Sequence, residues 1–158
     1  ICLPDAQMKL LDEVSKLGKP IVLIVFAGRP LDLTGVVDKV DSILYSWFLG
    51  TMSGVALEKL LFAKENPCGK TTMSFPYTVG QIPVFYNCLN TGRPTDGVTH
   101  YTSRYIDIPN EPLFPFGHGL SYSNFVYSNL KIDNRNISKN DVIRVSVDIH
   151  NNFINIYI

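Results

Sequence analysis

The sequence predicts an α/β fold followed by a β hairpin, and three observations carry that prediction. Ile21 to Ala27 is an unbroken apolar run, with the length and β-branched character of a strand buried on both faces of a parallel sheet. Before residue 63, helical and extended patterns alternate at the spacing of a right-handed α/β unit. Beyond Ser121, Phe125 to Ile132 and Val142 to Ile149 alternate apolar and polar residues, as half-buried strands do.

Each element has its own signals. Pro4 and Asp5 suit the first turn of a helix whose apolar positions are Leu3, Leu10, Leu11, Val14 and Leu17. Gly18 ends that helix and Pro20 prevents its continuation. The strand Ile21 to Phe26 follows, then a sharp turn at Gly28-Arg29-Pro30 and a short helix over Leu31 to Lys39. Ser42 to Phe48 reads as a second strand. Gly50 turns the chain into a helix over Gly54 to Phe62 carrying Val55, Leu57, Leu60, Leu61 and Phe62. From Asn66 to Pro115 frequent Pro and Gly predict long structured loops, with short strands near Thr72–Phe75 and Ile82–Tyr86. Asp133 to Asp141 is the polar turn of the terminal hairpin.

The bulk numbers exclude several classes. Hydrophobic residues make up 46% of the 158 residues and charged residues 18%, which is ordinary for a globular chain. Fourteen basic and fourteen acidic residues give zero formal charge, so no nucleic-acid or membrane partner is expected. The longest apolar run is far too short to cross a bilayer. Cys2, Cys68 and Cys88 form no CxxC pair and are expected to be small buried thiols, and no cofactor or metal is expected. The first and last residues read as the interior of a longer protein. A single N-glycosylation sequon, Asn136-Ile137-Ser138, bears only on a chain secreted by a eukaryote.

Chemical motifs are mostly rejected on spacing. Cys68-Gly69-Lys70-Thr71-Thr72 has the end of a phosphate-binding loop, but Lys64 stands where its first Gly is required. Gly50-Thr51-Met52-Ser53-Gly54 places Ser53 one position late for a serine nucleophile, with His100, His118 or His150 as the only bases. Ser53 reads better as a helix N-terminal residue. The acids Asp32, Glu58, Glu65, Asp96, Asp107 and Glu111 show no pairing suited to glycosidic bond cleavage. His118, in Phe116-Gly117-His118-Gly119, fits a polar turn. One stretch stands apart: Asn90 to Pro94 and Tyr101 to Asp107 concentrate Arg93, Arg104, Tyr105 and Asp107 in a loop able to grip sugar hydroxyls. The plainer alternative is an Arg104–Asp107 ion pair that pins the loop.

Taken in order, Gly18-Lys19-Pro20-Ile21-Val22-Leu23, Gly28-Arg29-Pro30-Leu31, Trp47-Phe48-Leu49-Gly50-Thr51, Asn66-Pro67-Cys68-Gly69-Lys70, Ser74-Phe75-Pro76, Val79-Gly80-Gln81-Ile82-Pro83 and Phe114 to Tyr122 resemble glycoside hydrolase family 3, in its periplasmic β-glucosidase branch. The resemblance runs from Ile1 to about Asn151. It implies the second half of a six-stranded α/β sandwich lobe over residues 1–124. It also implies the truncated start of a fibronectin-III-like domain over 125–158. The implied parent hydrolyses terminal β-D-glucosyl residues by a retaining mechanism, with a β-glucoside or oligosaccharide as substrate. The resemblance places the aspartate nucleophile on a preceding (β/α)8 barrel and the glutamate acid/base just upstream of a segment whose end resembles Ile1 to Gln7. No catalytic residue is therefore carried over. Arg93, Arg104, Tyr105 and Asp107 remain substrate-binding candidates, and a non-catalytic carbohydrate-binding or structural module is the alternative. The resemblance slightly favours a periplasmic or secreted bacterial protein. Met52, Ser53 and Ala63 depart from the family's Glu, Gly and Gly, and Asn152-Phe153 departs from its "NTG", leaving the register of the tail after Asn151 open.

Overall fold

The computed structural model describes residues 1–153. It is a mixed α/β structure with two small sheets, in the order α1 (Asp5–Ser15), β1 (Val22–Val25), β2 (Ser42–Tyr45), α2 (Ser53–Leu61), β3 (Ser123–Ile132) and β4 (Val145–Phe153), with three short 3-10 turns between them. The fold divides into two compact units, one of Ile1–Ser53 with Gly69–Gly119 and one of Gly54–Cys68 with Leu120–Ile158. The apolar run of residues 154–158 lies outside the described residues.

In the first unit β1 and β2 pair in parallel, Val22 opposite Ser42 through Val25 opposite Tyr45. The expected parallel α/β arrangement is therefore present, but in only two strands. β1 was expected to be covered on both faces, whereas Val22 and Phe26 are each 52% exposed and only Val25 is buried. Two strands offer too little neighbouring sheet to cover both sides of an apolar run. Backbone amides of Gln7 and Met8 donate to the Pro4 carbonyl at the start of α1, and Gly18 leaves it at φ 60°. α1 turns Leu11 inward and leaves Leu10 and Leu17 exposed, because the inward stripe follows Met8, Leu11 and Val14. The short helix expected over 31–39 reduces to a 3-10 turn at Val37–Lys39. Asp32 Oδ1 accepts from the Thr34 amide at 3.0 Å in a local turn ahead of it, and the 3-10 turn itself, opened by Val36, carries no side-chain cap.

The core of this unit is Leu11, Val25, Leu31, Leu33, Val36 and Phe75. Phe75 is 1% exposed and meets Tyr45 and Phe114 edge-on, at ring-centroid separations of 4.8 and 6.0 Å. The strand expected at 72–75 is only an isolated bridge between Phe75 and Phe114, and that expected at 82–86 does not form. Pro76 and Pro83 lack the amide that a ladder needs, so apolar character there serves packing instead of pairing. Residues 70–71 and 115–119 are laced together. The Thr71 amide donates to the His118 carbonyl at 2.8 Å, Gly117 donates to the Thr71 carbonyl at 2.7 Å, and Lys70 Nζ donates to the Gly119 carbonyl. The thiols are exposed at all three cysteines, contrary to expectation, because each sits on irregular backbone or an isolated bridge outside the core.

In the second unit α2 ends on Ala63 at φ 52°, with the Lys64 amide donating to the Lys59 carbonyl at 2.8 Å, a glycine-type helix stop occupied by alanine. Asn66 accepts from the Tyr122 amide at 2.8 Å, and the Tyr122 hydroxyl donates to the Leu60 carbonyl at 2.7 Å. β3 and β4 form the expected antiparallel hairpin, with a register shift between Ser128 and Lys131. Asn129 and Leu130 both oppose Val147, and Asn129 stands at φ 53°. The bulge matches a break in the sequence pattern, where apolar residues fall at 125 and 127 and then at 130 and 132. Phe125, Tyr127, Leu130 and Ile132 thereby share one face with Val145, Val147 and Ile149. That face was expected to be half-buried, yet these residues are exposed, and among the described residues their own unit supplies no second sheet to cover it.

Candidate functional site

The candidate loop begins with a closure at its neck. Ser103 donates its amide to the Arg93 carbonyl at 2.8 Å, Thr91 donates its hydroxyl to Ser103 Oγ at 2.8 Å, and Pro94 bridges Ser103 in parallel. Inside the neck, Asp96 folds the tip on itself. Its Oδ1 accepts from the amides of Val98 and Thr99 at 3.0 and 2.7 Å, and its Oδ2 accepts from the Thr99 hydroxyl at 2.5 Å. The Thr99 hydroxyl and then the two backbone amides stabilise the charged form and lower the Asp96 pKa from 3.8 to about 2. A carboxylate held ionised this way accepts hydrogen bonds but is a poor general acid near neutrality.

The returning limb is fixed from beneath. Asn110 accepts from the Tyr105 amide at 3.0 Å and donates to the Ser103 carbonyl at 2.9 Å. Gln81, only 1% exposed, accepts from the Tyr77 amide at 2.8 Å and donates Nε2 to the carbonyls of Pro109 and Glu111, each at 3.0 Å. The Tyr105 hydroxyl reaches the Gln81 carbonyl at 3.3 Å. A recess of about 460 Å³ opens between tip and limb, lined among others by Asp96, Arg104, Tyr105, Asn110 and Glu111.

Of the four predicted residues, Arg104 and Tyr105 line this recess. Arg93 and Asp107 do not and are exposed. The alternative Arg104–Asp107 ion pair is absent among the described residues. Arg104 instead donates Nη2 to His100 Nδ1 at 2.9 Å, a contact that requires the lone pair of that ring nitrogen. Gln81 and Asn110 were not singled out from sequence as loop supports. Gln81 carries little local signal, because the carbonyls to which it donates lie 28 to 30 residues away. Asn110, between Pro109 and Glu111, is a residue type suited to local capping.

The rejected motifs are accounted for elsewhere. The Lys70 amine is engaged by the Gly119 carbonyl, so it does not sit in a phosphate cradle. Ser53 opens α2 in helical geometry, and among the described residues no histidine is hydrogen-bonded to it. His118 follows a turn at Phe116-Gly117 and stacks on Phe114 at 4.9 Å. Among the described residues no group of three His, Cys, Asp or Glu could hold a metal, and no helix is long and apolar enough to cross a membrane. The recess is lined by both hydrogen-bond donors and acceptors, among them Asp96, Arg104, Tyr105 and Asn110.

Known proteins bear on this arrangement. A family model described as the glycosyl hydrolase family 3 C-terminal domain matches residues 1–122. A periplasmic beta-glucosidase of Salmonella typhimurium is 43% identical over 153 residues, covering 96% of this chain and 20% of that protein. A beta-xylosidase of Formosa agariphila is 40% identical over 145 residues, covering 92% and 19%. The solved beta-glucosidase from Listeria innocua, in complex with isofagomine, superposes with a TM-score of 0.78 at 48% identity over 83% of this chain and 19% of that one. The chain thus spans about a fifth of the length of the curated relatives it matches. The ordered motifs, the parallel two-stranded sheet and these matches lead to one conclusion: the chain belongs to glycosyl hydrolase family 3 and corresponds to its C-terminal domain.

Proposed function

We propose that this chain is part of the α/β lobe of a β-glucosidase that removes terminal non-reducing β-D-glucosyl residues with retention. Its nucleophile and acid/base lie outside these 158 residues, and a (β/α)8 barrel is the intramolecular partner. The observation that carries the proposal is the 48% identity and 0.78 TM-score shared with the Listeria innocua beta-glucosidase. A retaining cleavage requires two carboxyls roughly 5–5.5 Å apart across the scissile bond. Asp96, ionised and committed to its own loop, does not suit the acid role. In this reading residues 1–124 are the second half of a six-stranded sandwich. Residues 125–158 belong to a fibronectin-III-like domain, whose second sheet would cover the apolar face of β3 and β4.

Within that lobe the Arg93–Asp107 loop forms a wall of the sugar pocket. Arg93, Arg104, Tyr105 and Asp107 supply hydrogen bonds to hydroxyls and catalyse nothing themselves. The test has two arms. The chain alone should release no phenol from an aryl β-D-glucoside, and measurable turnover would overturn the placement of both carboxyls elsewhere. The product of this sequence together with its upstream coding sequence should be active. Cleavage of the aryl β-xyloside but not the glucoside would overturn the sugar assignment.

A second reading, a carbohydrate-binding module, draws on the 460 Å³ recess and its mixed donors and acceptors. Calorimetry of the isolated chain with glucose and cellobiose separates the two, since millimolar or tighter binding without a barrel favours the module.

A further inference from the structure

We infer that Gln81 is the positioning residue of the Arg104–Glu111 limb, holding Arg104 and Tyr105 where the proposed sugar wall needs them; the sugar half of this rests on the function proposed above. The orientation of its amide follows from chemistry. Nε2 faces the carbonyls of Pro109, Asn110 and Glu111 at 3.0, 3.4 and 3.0 Å, where only a donor serves. Oε1 faces the Tyr77 amide at 2.8 Å, where only an acceptor serves. The side chain is 1% exposed, so water cannot replace these bonds. Through Tyr77 the pin reaches the core side of the unit, because the Tyr77 carbonyl accepts from the Thr34 hydroxyl at 2.7 Å.

A single amide thus clamps three successive carbonyls at the base of the limb. Asn110, between the two strongest contacts, relays the constraint to Ser103 and Tyr105. The Tyr105 hydroxyl returns to the Gln81 carbonyl and closes the circuit. Gln81 therefore acts on the recess without lining it. Its substitution should alter the presentation of Arg104 and Tyr105 before it alters the core.

The discriminating variant is Gln81→Glu, which keeps the acceptor for Tyr77 and breaks the three-carbonyl clamp: ionised, the carboxylate repels the carbonyls, and protonated it offers one O–H where the amide offers two N–H. Hydrogen exchange of the 158-residue chain should show the Tyr105 amide exchanging faster by about tenfold or more, with Tyr77 and β1 within about twofold of wild type. Gln81→Met, which loses both functions, should accelerate Tyr77 as well as Tyr105. Unchanged exchange at Tyr105 in Gln81→Glu overturns the inference, and so does equal acceleration at Tyr77 and β1. Glucose titration of wild type separates this from the sugar reading. If wild type binds glucose, Gln81→Glu should weaken binding by about tenfold, and undiminished affinity removes the positioning role. If wild type does not bind glucose, the result is the one expected of a wall without its barrel, and the exchange pattern alone decides whether Gln81 holds the limb.

Discussion

Replacing Gly119 by alanine tests the lacing of residues 70–71 to 115–119. A Cβ built on Gly119 would lie 2.6 Å from the Gly69 carbonyl oxygen, 2.9 Å from Lys70 Cδ and 3.4 Å from Lys70 Cα. The lysine methylene can swing aside, but the carbonyl belongs to the backbone. Ordinary contact begins near 3.4 Å, so the two segments must part by roughly 0.8 Å. A separation of that size stretches the Thr71–His118 and Gly117–Thr71 bonds, now 2.8 and 2.7 Å, beyond good geometry. Overpacking and the weakening of two hydrogen bonds together predict a loss of about 1–3 kcal/mol. Urea unfolding of the chain, followed by the fluorescence of its one tryptophan, Trp47, measures it. Gly69→Ala is the control: nothing lies within 4 Å of its Cβ, so it should be neutral or stabilising by up to about 1 kcal/mol. If Gly119→Ala unfolds within about 0.5 kcal/mol of wild type, the close approach is not a constraint and the reasoning fails.

Other perturbations read other parts of the fold. Ala63→Gly should stabilise the second unit by about 0.5–1 kcal/mol, because a left-handed residue at a helix stop favours glycine, and protection of the α2 amides from exchange reports it. Phe75→Ala should cost about 3–5 kcal/mol in urea unfolding, since Phe75 joins the core to the Tyr45 and Phe114 rings. The Asp96 carboxyl has its folded pKa depressed from 3.8 to about 2, so its contribution to the loop tip is present above pH 3.8 and is lost as pH falls through 2. NMR should show the Val98 and Thr99 amides losing their downfield shifts across that window. Burial raises the Tyr45 pKa, so its contribution is intact below the unfolded value near 10 and declines as pH rises above it. Tyr45→Phe should abolish that alkaline decline in a pH series of melts.

Local rules made α1, β1, β2, α2 and the hairpin legible in the sequence. Pro4, Gly18 and Pro20 bound α1, and the run from Ile21 to Ala27 contains β1. The same rules mislead where tertiary supply decides. Val22 and Phe26 look like buried strand residues, but two strands cannot cover them. Thr72–Phe75 and Ile82–Tyr86 have strand-like composition, yet prolines remove the amides that pairing needs. Arg104 and Tyr105 stand out in the sequence because charge and aromaticity cluster in one loop, and the structure places both along one recess. Gln81 does not stand out, because a neutral amide announces nothing until distant carbonyls are brought to it.

The bulge in β3 changes what the hairpin can tolerate. Two residues separate Tyr127 from Leu130 where strict alternation allows one, and Val147 faces the surplus alone. Loss of one residue at Ser128 or Asn129 would straighten the ladder and leave every apolar partner on its present side. Loss of Val126 would instead put Phe125 out of step with Tyr127, and an extra residue elsewhere in the strand would turn the remainder over. The hairpin therefore has one site where its reading frame can slip by a residue without harm, and the Asn129 side chain, donating to Asp148 at 2.8 Å, marks it.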